Sequence, residues 1–242
     1  MLALRRNTLL DNHQRGRLDK INIAIDGPAG AGKSTVARKV AKELTYVYVD
    51  TGAMYRAVTW FMLGHDISSD ETDRVIHAMR ELHIELIPGE ECQQVIVNGE
   101  DVTDYIRANH ISKNVSSYAK IGPLRTKLVE MQRNIASSKG VVMDGRDIGT
   151  HVLPQAELKI FLTASVEERA IRRYQEIKDN QQVTLEQLMH DIAERDRQDE
   201  QREISPLVCA EDAIRLDTTS MNIEEVVNQI ISYCRTITDG AK

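Results

Sequence analysis

A chain of 242 residues can bury a full core as one large α/β domain without disulfide or metal support. Its 41% hydrophobic and 28% charged residues exclude a disordered or fibrous chain, and its net charge of -6 argues against a nucleic-acid partner. No apolar run reaches the roughly 18 to 20 residues that span a bilayer, so we expect no membrane partner. Cys92, Cys209 and Cys234 are too scattered for a disulfide framework or a CxxC metal site, which favours a cytoplasmic location.

The chain begins with a polar stretch of mixed charge, and we interpret residues 1–20 as a mobile N-terminal tail. A short apolar run at residues 21–25 then meets glycines at once, which is typical of a buried strand. After the glycines, Val36, Val40 and Leu44 recur at helical spacing. The fold is therefore predicted to start with a strand, a glycine-rich loop and a helix.

The rest of the chain alternates between predicted strands and helices. Further strands are predicted at residues 46–49, 140–144, 158–163 and 213–216, and helices at residues 55–63, 68–80, 124–136 and 223–237. Two more helices are predicted to open with capping boxes, formed by Ser165 with Glu168 and by Thr184 with Gln187. This alternation predicts an α/β fold of three layers, with helices on both faces of a parallel sheet.

One segment departs from the alternation. Residues 83–87 and 94–97 have the composition of strands, and they are separated at Pro88 and followed by an Asn98-Gly99 pair. An Asn-Gly pair favours a two-residue hairpin turn. We therefore predict a small antiparallel insert on the parallel core.

The loop after the first strand matches the phosphate-binding pattern G-x-x-x-x-G-K-[ST]. Its residues are Gly27, Pro28, Ala29, Gly30, Ala31, Gly32, Lys33 and Ser34, followed by Thr35. In this P-loop pattern, backbone N–H groups and the positive end of the following helix surround phosphate oxygens. Lys33 is expected to reach the β- and γ-phosphates of a bound nucleotide, and Ser34 to bind Mg²⁺. The alternative, a glycine-rich turn without a ligand, is disfavoured by the strand and helix that flank the loop.

A P-loop alone does not distinguish a kinase from a GTPase or a motor. The chain lacks the guanine-reading Asn-Lys-x-Asp element, which disfavours a GTPase. A kinase needs a second anion site, for which Arg56, Arg125 and Arg146 with Asp147 are candidates. Arg146 and Asp147 follow an apolar strand, so we expect them at the carboxyl edge of the sheet, where ligands bind. Asp144 ends that strand in the position of a Walker-B acid and is expected to steady Mg²⁺ through water.

The predicted helix after Thr184 carries further candidates. Its inward stripe is apolar at Leu185, Leu188, Met189 and Ile192. At a spacing of seven residues the same stripe continues as Arg195, Asp199 and Arg202. These charges either line an anionic, hydroxyl-bearing substrate or form a solvated helix end.

The preceding predicted helix carries Arg169, Arg172 and Arg173, and residues 175–183 form a polar bend after it. Cations that fold over a transferring phosphate, together with a hinge, are what a lid requires. The alternative is a set of exposed arginines on a solvated helix.

Five ordered stretches resemble those of the bacterial cytidylate kinase family, which are P-loop nucleoside monophosphate kinases. The stretches are IAIDGPAGAGKST, YVDTGAMYR, GRDIGT, EERAIRRY and ERDRQDEQREISPL, and the resemblance extends over residues 21–237. It implies one kinase domain at residues 21–242, whose parts are a core (21–50, 120–168 and 204–242), a monophosphate-binding part (51–119) and a lid (169–203).

The resemblance also implies roles for individual residues. Arg56 and Arg146 are expected to hold the monophosphate, and Asp199 with Arg195 the ribose. The base edge is assigned to Ser116, Arg125 and Asp147, with Arg202 and Thr51 close by. Lys33 and Arg146 are expected to act in catalysis together with two lid cations, Arg172 and Arg173.

The implied reaction is transfer of the γ-phosphoryl group of ATP to CMP or dCMP with Mg²⁺, and we expect a monomer. The attacking phosphate oxygen is already ionised near neutral pH, so no general base is required. Cytosine offers an amino donor to the Asp147 carboxylate, whereas uracil presents an oxygen there. Buried acceptors left unpaired cost about 1 to 3 kcal/mol, which predicts roughly a 5- to 150-fold preference for CMP and dCMP over UMP.

Two alternatives remain open. A P-loop kinase for a sugar acid or shikimate shares the core and the arginines, but it has no need of a base-reading edge and the β insert counts against it. A nucleotide-binding regulator without turnover is disfavoured by Lys33, Ser34, Asp144 and the lid arginines together. For the residues that contact adenine, the sequence indicates only a region, residues 206–219.

Overall fold

The computed structural model describes residues 20–89, 93–177 and 183–240. The strands there are β1 (Asn22–Asp26), β2 (Val47–Asp50), β3 (Ile84–Ile87), β4 (Gln94–Val97), β5 (Glu100–Asp101), β6 (Val141–Asp144), β7 (Leu158–Thr163) and β8 (Ile214–Asp217). The α-helices are α1 (Lys33–Leu44), α2 (Thr51–Gly64), α3 (Thr72–Glu81), α4 (Asn109–Tyr118), α5 (Gly122–Ala136), α6 (Val166–Ile177), α7 (Leu185–Glu200) and α8 (Ile223–Gly240).

The larger sheet is parallel, with the strand order β2-β6-β1-β7-β8. Every residue of the central strand β1 is buried, as expected for a parallel strand covered on both faces. The register places Asp144 opposite both Ile25 and Asp50. The carboxyl ends of β1, β2 and β6 therefore meet at one edge, where ligand-binding residues gather in α/β folds.

Helices cover both faces of this sheet. On one face, α1 and α8 pack against β1 through buried side chains that include Val36, Val40 and Ile230. On the other face, Val129 and Ala136 of α5 pack against β6. The predicted three-layer α/β fold is confirmed.

The predicted antiparallel insert is also present, as a sheet of order β3-β4-β5. Asn98 and Gly99 have φ values of 49° and 87°, and they connect β4 to β5 as a two-residue turn. Left-handed φ at both central residues is the type I′ geometry that Asn-Gly favours. Val95 and Val97 are buried in one cluster with residues of α2, so the insert is anchored on that helix.

Helix α4 was not predicted from the sequence pattern. Its asparagines, serines and β-branched residues have weak helix propensity, so propensity gave no indication of a helix. The helix is stabilised by tertiary packing, because Ile111, Val115 and Tyr118 are buried on one face. Tyr118 also donates its hydroxyl hydrogen to the carbonyl of Ile67 at 2.6 Å.

In each of the two predicted capping boxes, only one of the two expected hydrogen bonds forms. Ser165 Oγ accepts a hydrogen bond from the N–H of Glu168 at 3.1 Å, but the Glu168 carboxylate bonds Arg172 instead of the cap. The Ser165 N–H donates to the hydroxyl of Thr219. Arg172 lies one turn after Glu168, so the helical ion pair outcompetes the return bond of the box.

The second box differs in the same way. Thr184 Oγ1 accepts from the N–H of Gln187 at 3.2 Å, while the Gln187 amide donates to Asp191. The sequence pattern had also placed Arg202 on the charged end of this helix. In the structure, α7 ends at Glu200, and Arg202 lies beyond it. There, Arg202 donates to the carbonyl of Ser205 at 2.8 Å.

Residues 1–19 of the predicted tail and residues 178–182 of the predicted bend between α6 and α7 lie outside the described residues. None of the helices in the described ranges is long and apolar enough to cross a membrane.

Candidate active site

The P-loop connects β1 to α1 at the carboxyl edge of the sheet. Gly27 has a φ of 144°, and a Cβ there would lie 2.0 Å from the Leu162 carbonyl oxygen, so only glycine fits between the loop and β7. Gly32 caps α1 in a left-handed conformation with a φ of 81°. The loop geometry therefore depends on glycine at both ends, as its pattern requires.

Lys33 is the first residue of α1, and its side chain is buried. Its Nζ donates to the Pro28 carbonyl oxygen at 2.7 Å. Burial and the nearby charge of Arg146 together lower the pKa of Lys33 to about 7, although Asp144 opposes the shift. A phosphate anion at the loop would favour the charged ammonium form.

Asp144, at the end of β6, accepts two hydrogen bonds from neighbouring hydroxyl groups. Ser34 Oγ donates to its Oδ2 and Tyr48 to its Oδ1, both at 2.9 Å. Burial raises the pKa of Asp144 to about 6, and the charge of Asp50 adds to this effect. A divalent cation would hold this carboxylate ionised, and hard oxygen donors are what Mg²⁺ prefers.

These residues fit Mg²⁺ bound mainly through water and phosphate oxygens. Within residues 20–89, 93–177 and 183–240, no group of three or more His, Cys, Asp or Glu side chains is placed to hold a metal ion. A magnesium ion bound by a nucleotide does not need such a cage, because it usually keeps several waters and takes one or two protein carboxylates.

One cavity of about 1410 Å³ brings nearly all of the sequence-predicted site residues together. From the P-loop it is lined by Ala29, Gly30, Ala31, Gly32, Lys33, Ser34 and Thr35. From the rest of the chain it is lined by Thr51, Arg56, Ser116, Arg125, Asp144, Arg146, Asp147, Arg172, Arg173, Arg195, Asp199 and Arg202. Gly27 and Pro28 do not line the cavity, and they support the loop from behind.

Aspartates hold two of the cavity arginines that lie outside the P-loop. Arg56 donates from Nη2 to Asp50 at 2.9 Å, and Arg146 donates from Nε to Asp199 at 2.8 Å. Asp50 itself is fixed, because its other oxygen accepts from the N–H of Ala53 at the start of α2. Each pair uses only part of the five-donor guanidinium group, so the remaining N–H groups can bind an anion.

The cations of this region disfavour one another's charge. Burial lowers the pKa of Arg195 to about 10, and the positive charge of Arg146 contributes to the shift. Burial raises the pKa of Asp199, but Arg146, Arg202 and Arg195 outweigh this effect and hold it below its ordinary value. A bound anion would relieve the repulsion among the arginines, so this group of residues is suited to binding an anion.

Arg125 and Asp147 form a third pair, at 2.5 Å, and both are buried. Arg125 also donates to the carbonyl of Ala119 at 3.2 Å, and its guanidinium lies 5.4 Å from the centre of the Tyr55 ring. Only Oδ2 of Asp147 takes part in the pair. The pair therefore presents a fixed acceptor beside fixed donors, which suits a heterocyclic base.

The three arginines of α6 do not share one role. Arg172 and Arg173 line the cavity, and Arg172 donates to Glu168 and to the carbonyl of Thr218. Arg169 was a candidate lid cation together with these two, but its contacts differ from theirs. It is only 4% exposed and bonds the carbonyl oxygens of Ala29 and Ala164. Its position on the inner face of α6, beside the buried Ala170, directs it towards the P-loop backbone.

Sequence reasoning missed several residues that shape the site. Asp50 orients Arg56, and Tyr48 fixes the Asp144 carboxylate. Asp26 accepts from the N–H groups of Ile148 and Gly149 at 2.8 and 2.7 Å. Asp26 and Asp50 could have been identified from the sequence, because they lie at strand ends and the same argument identified Asp144.

The fold and this site define a P-loop kinase, an enzyme that transfers phosphate between two ligands held in one cavity. The family model described as cytidylate kinase matches residues 23–236. The chain belongs to the cytidylate kinase family.

Curated relatives agree with this assignment. A cytidylate kinase from Bacillus cytotoxicus is 52% identical over 214 residues, which cover 88% of this chain and 95% of the relative. One from Bacillus subtilis is 52% identical over 213 residues, with the same coverage. One from Ligilactobacillus salivarius is 53% identical over 214 residues, which cover 88% of this chain and 96% of the relative.

The similar solved structures are more distant in sequence. A gluconokinase from Sinorhizobium meliloti has 12% identity and a TM-score of 0.48, with 92% of this chain and 96% of that chain covered. Shikimate kinase from Acinetobacter baumannii, in complex with shikimate, has 19% identity and a TM-score of 0.41, with 91% and 94% covered. Likenesses at this level say nothing about the acceptor of this chain.

Proposed function

We propose that the protein transfers the γ-phosphoryl group of ATP to CMP or dCMP, with Mg²⁺, in the cavity between the P-loop and the arginine–aspartate pairs. The observation that carries the proposal is that Lys33 of the P-loop and Arg146 line one cavity. The two groups are close enough that, after burial, the charge of Arg146 is the next largest cause of the lowered pKa of Lys33. Two anions bound at these groups would be adjacent, which is what in-line transfer requires.

At the donor end, the P-loop amides and the start of α1 bind the triphosphate, with Lys33 against its β- and γ-phosphates. Ser34 and Asp144 are the residues that would hold Mg²⁺, Asp144 through water. When bound, Mg²⁺ supplies charge neutralisation to the phosphates. Arg172 and Arg173 cover the donor from α6 and exclude water that would otherwise hydrolyse ATP.

At the acceptor end, Arg56 and Arg146 hold the monophosphate. Support comes from their partial pairing with Asp50 and Asp199, which fixes each guanidinium while leaving donors for an anion. Arg195 and Asp199 bind the ribose hydroxyl groups, with Arg202 and Thr51 close by. Lys33 and Arg146 neutralise the charge between the two nucleotides during transfer.

The base edge is read by Ser116, Arg125 and Asp147. Asp147 keeps Oδ1 as an acceptor for the cytosine amino group while Oδ2 bonds Arg125. Uracil would place an oxygen against this carboxylate, and two facing acceptors are unfavourable. The arrangement therefore favours CMP and dCMP over UMP.

Adenine is proposed to lie beside Thr218 and Met221, which line the donor end of the cavity. We also keep the expectation from sequence that the protein is cytoplasmic and monomeric. Light scattering on the purified protein tests the oligomeric state.

A coupled ADP-release assay tests the proposal with CMP, dCMP, UMP, AMP, GMP and shikimate as acceptors. We expect turnover with CMP and dCMP, lower kcat/KM with UMP, and none with shikimate. Lys33→Ala should lower kcat at least about 100-fold, because a preorganised cation at the transferring phosphate is lost. The exposed Lys39 on the same helix gives the control, and Lys39→Ala should keep kcat. Shikimate turnover without CMP turnover would refute the proposed acceptor.

A further inference from the structure

The backbone of Ala29, inside the P-loop, is bonded on both sides by one buried ion pair. The Ala29 carbonyl oxygen accepts from Arg169 Nη1 at 2.8 Å, and the Ala29 N–H donates to Asp196 Oδ1 at 3.3 Å. Arg169 Nη1 also lies 2.7 Å from Asp196 Oδ2. Arg169 belongs to α6 and Asp196 to α7, so these two helices meet at the backbone of one residue of the loop.

This contact is enclosed and constrained. Arg169 and Asp196 are 4% and 9% exposed, so the pair is largely shielded from solvent. Arg169 Nε donates to the carbonyl of Ala164, just before α6, which fixes the guanidinium at both ends. A Cβ on Gly30 would lie 3.2 Å from the Arg169 Cβ, so α6 packs directly on the loop. Charge-assisted hydrogen bonds in such surroundings hold their geometry tightly.

The same pair is attached to the acceptor side of the cavity. Arg195 immediately precedes Asp196 on α7, and Asp199 follows within one turn. Asp199 bonds Arg146 at 2.8 Å, and all three of these neighbours line the cavity. A displacement of the P-loop at Ala29 would therefore be transmitted through Asp196 to the segment of α7 that faces the acceptor.

We propose that Arg169 and Asp196 are positioning residues that couple the P-loop to the acceptor face of α7, so that a nucleoside triphosphate and a nucleoside monophosphate bind with positive cooperativity. The inference rests on the proposed function, because it requires both ligands to occupy this cavity. Neither residue touches a ligand in this account. A role in packing alone would change stability but would leave the two binding events independent.

The test measures the Kd of CMP by calorimetry, with and without a non-hydrolysable ATP analogue and Mg²⁺. The ratio of the two Kd values reports the coupling, and linkage requires the same ratio for the analogue. We expect wild type to bind CMP about fivefold or more tightly when the analogue is present, within the usual range for coupled sites.

Two variants break the pair differently. Arg169→Met keeps the length of the side chain but removes its donors, and Asp196→Asn keeps an acceptor for Ala29 N–H while removing the charge. Each should reduce the coupling ratio to below about twofold, with a smaller change in CMP affinity measured alone. Lys159→Met is the matched control, because Lys159 is equally buried and bonds the Pro154 carbonyl and Asp212 away from the cavity.

Thermal unfolding identifies which variants fold, and either folded variant decides the question. The inference would be overturned if a folded Arg169→Met or Asp196→Asn protein kept the coupling. It would also be overturned if Lys159→Met lost the coupling equally, or if wild type showed none. If wild type binds no CMP under any condition, the proposed function itself fails, and that result is distinct from CMP binding without cooperativity.

Discussion

At the scale of single residues, the acceptor half of the cavity depends on aspartates that fix arginines. Arg125 is paired with Asp147 at 2.5 Å, and Arg56 and Arg146 are paired with Asp50 and Asp199. A paired guanidinium loses less side-chain freedom when a ligand binds, because its orientation is already set. We propose for Asp147 the additional role of distinguishing an amino group from an oxygen on the base.

Asp147→Asn tests this distinction while keeping the volume of the side chain and an acceptor for Arg125. The amide adds donors that can serve the uracil oxygen, so the ratio of kcat/KM for CMP to that for UMP should fall at least about fivefold. The ratio is obtained from initial rates with both acceptors in wild type and variant. An unchanged ratio would remove Asp147 from the base-reading edge.

Asp26 gives a prediction about pH and stability. Burial raises its pKa in the folded protein from 3.8 to about 6, although the N–H groups of Ile148 and Gly149 oppose the shift. Because the folded form holds this proton more tightly than the unfolded chain, the associated stabilisation is present below about pH 4 and is lost as the pH rises through about 6.

The measurement is urea unfolding of wild type and Asp26→Asn at several pH values. The stability of wild type relative to the variant should fall by roughly 2 kcal/mol between about pH 4.5 and pH 7. A relative stability that rises over this interval would show that the hydrogen bonds to Ile148 and Gly149 dominate over burial.

At the scale of elements, the sequence pattern predicted those elements whose conformation is determined by their own residues. The continuous apolar run of β1, the glycine-rich loop and the Asn98-Gly99 turn each specify their own conformation, and the structure has all three. Helix α4 depends on distant packing of Ile111 and Tyr118, which no local pattern reveals. The predicted division into core, monophosphate-binding part and lid remains a prediction.

The site residues were predictable to the same extent as the elements: local motifs revealed most of them, and tertiary packing decided the rest. Residues at strand ends and in the P-loop were predicted because a motif and the sheet edge place them there, and all but Gly27 and Pro28 line the cavity. Arg169 could not be distinguished by pattern from Arg172 and Arg173, because three arginines on one helix look alike in sequence. Their different surroundings come from how α6 packs on the P-loop and α7, which is a tertiary property.

Gly27→Ala tests the junction between β1 and the P-loop. A Cβ at Gly27 would lie 2.0 Å from the Leu162 carbonyl oxygen at a φ of 144°, so either the strand or the loop must move. We expect a loss of about 3 kcal/mol or more in unfolding free energy, together with loss of ATP binding. Urea unfolding and nucleotide titration measure the two effects.

Gly64→Ala is the matched control for this prediction. Gly64 is the last residue of α2, and a Cβ there would meet nothing within 4 Å. Alanine has the higher helix propensity, so stability should stay the same or rise by about 0.5 kcal/mol. Equal losses in the two variants would mean that the contact with Leu162 is unimportant.

At the scale of the whole molecule, the parallel sheet brings three strand ends to one edge, and helices from distant parts of the sequence enclose the space in front of it. The P-loop and the arginine–aspartate pairs both line the resulting cavity. The charge of the chain is negative overall, yet this cavity gathers the buried Arg125 and Lys33 and several half-buried arginines. Positive charge is therefore concentrated where the two polyanionic nucleotides are proposed to bind.

The most direct test is a crystal structure with CMP, a non-hydrolysable ATP analogue and Mg²⁺ bound together. We predict the CMP phosphate within hydrogen-bonding distance of Arg56 and Arg146, the cytosine amino group against Asp147, and the triphosphate along the P-loop beside Lys33. A monophosphate bound away from Arg56 and Arg146, with the triphosphate in place, would contradict the two-anion cavity.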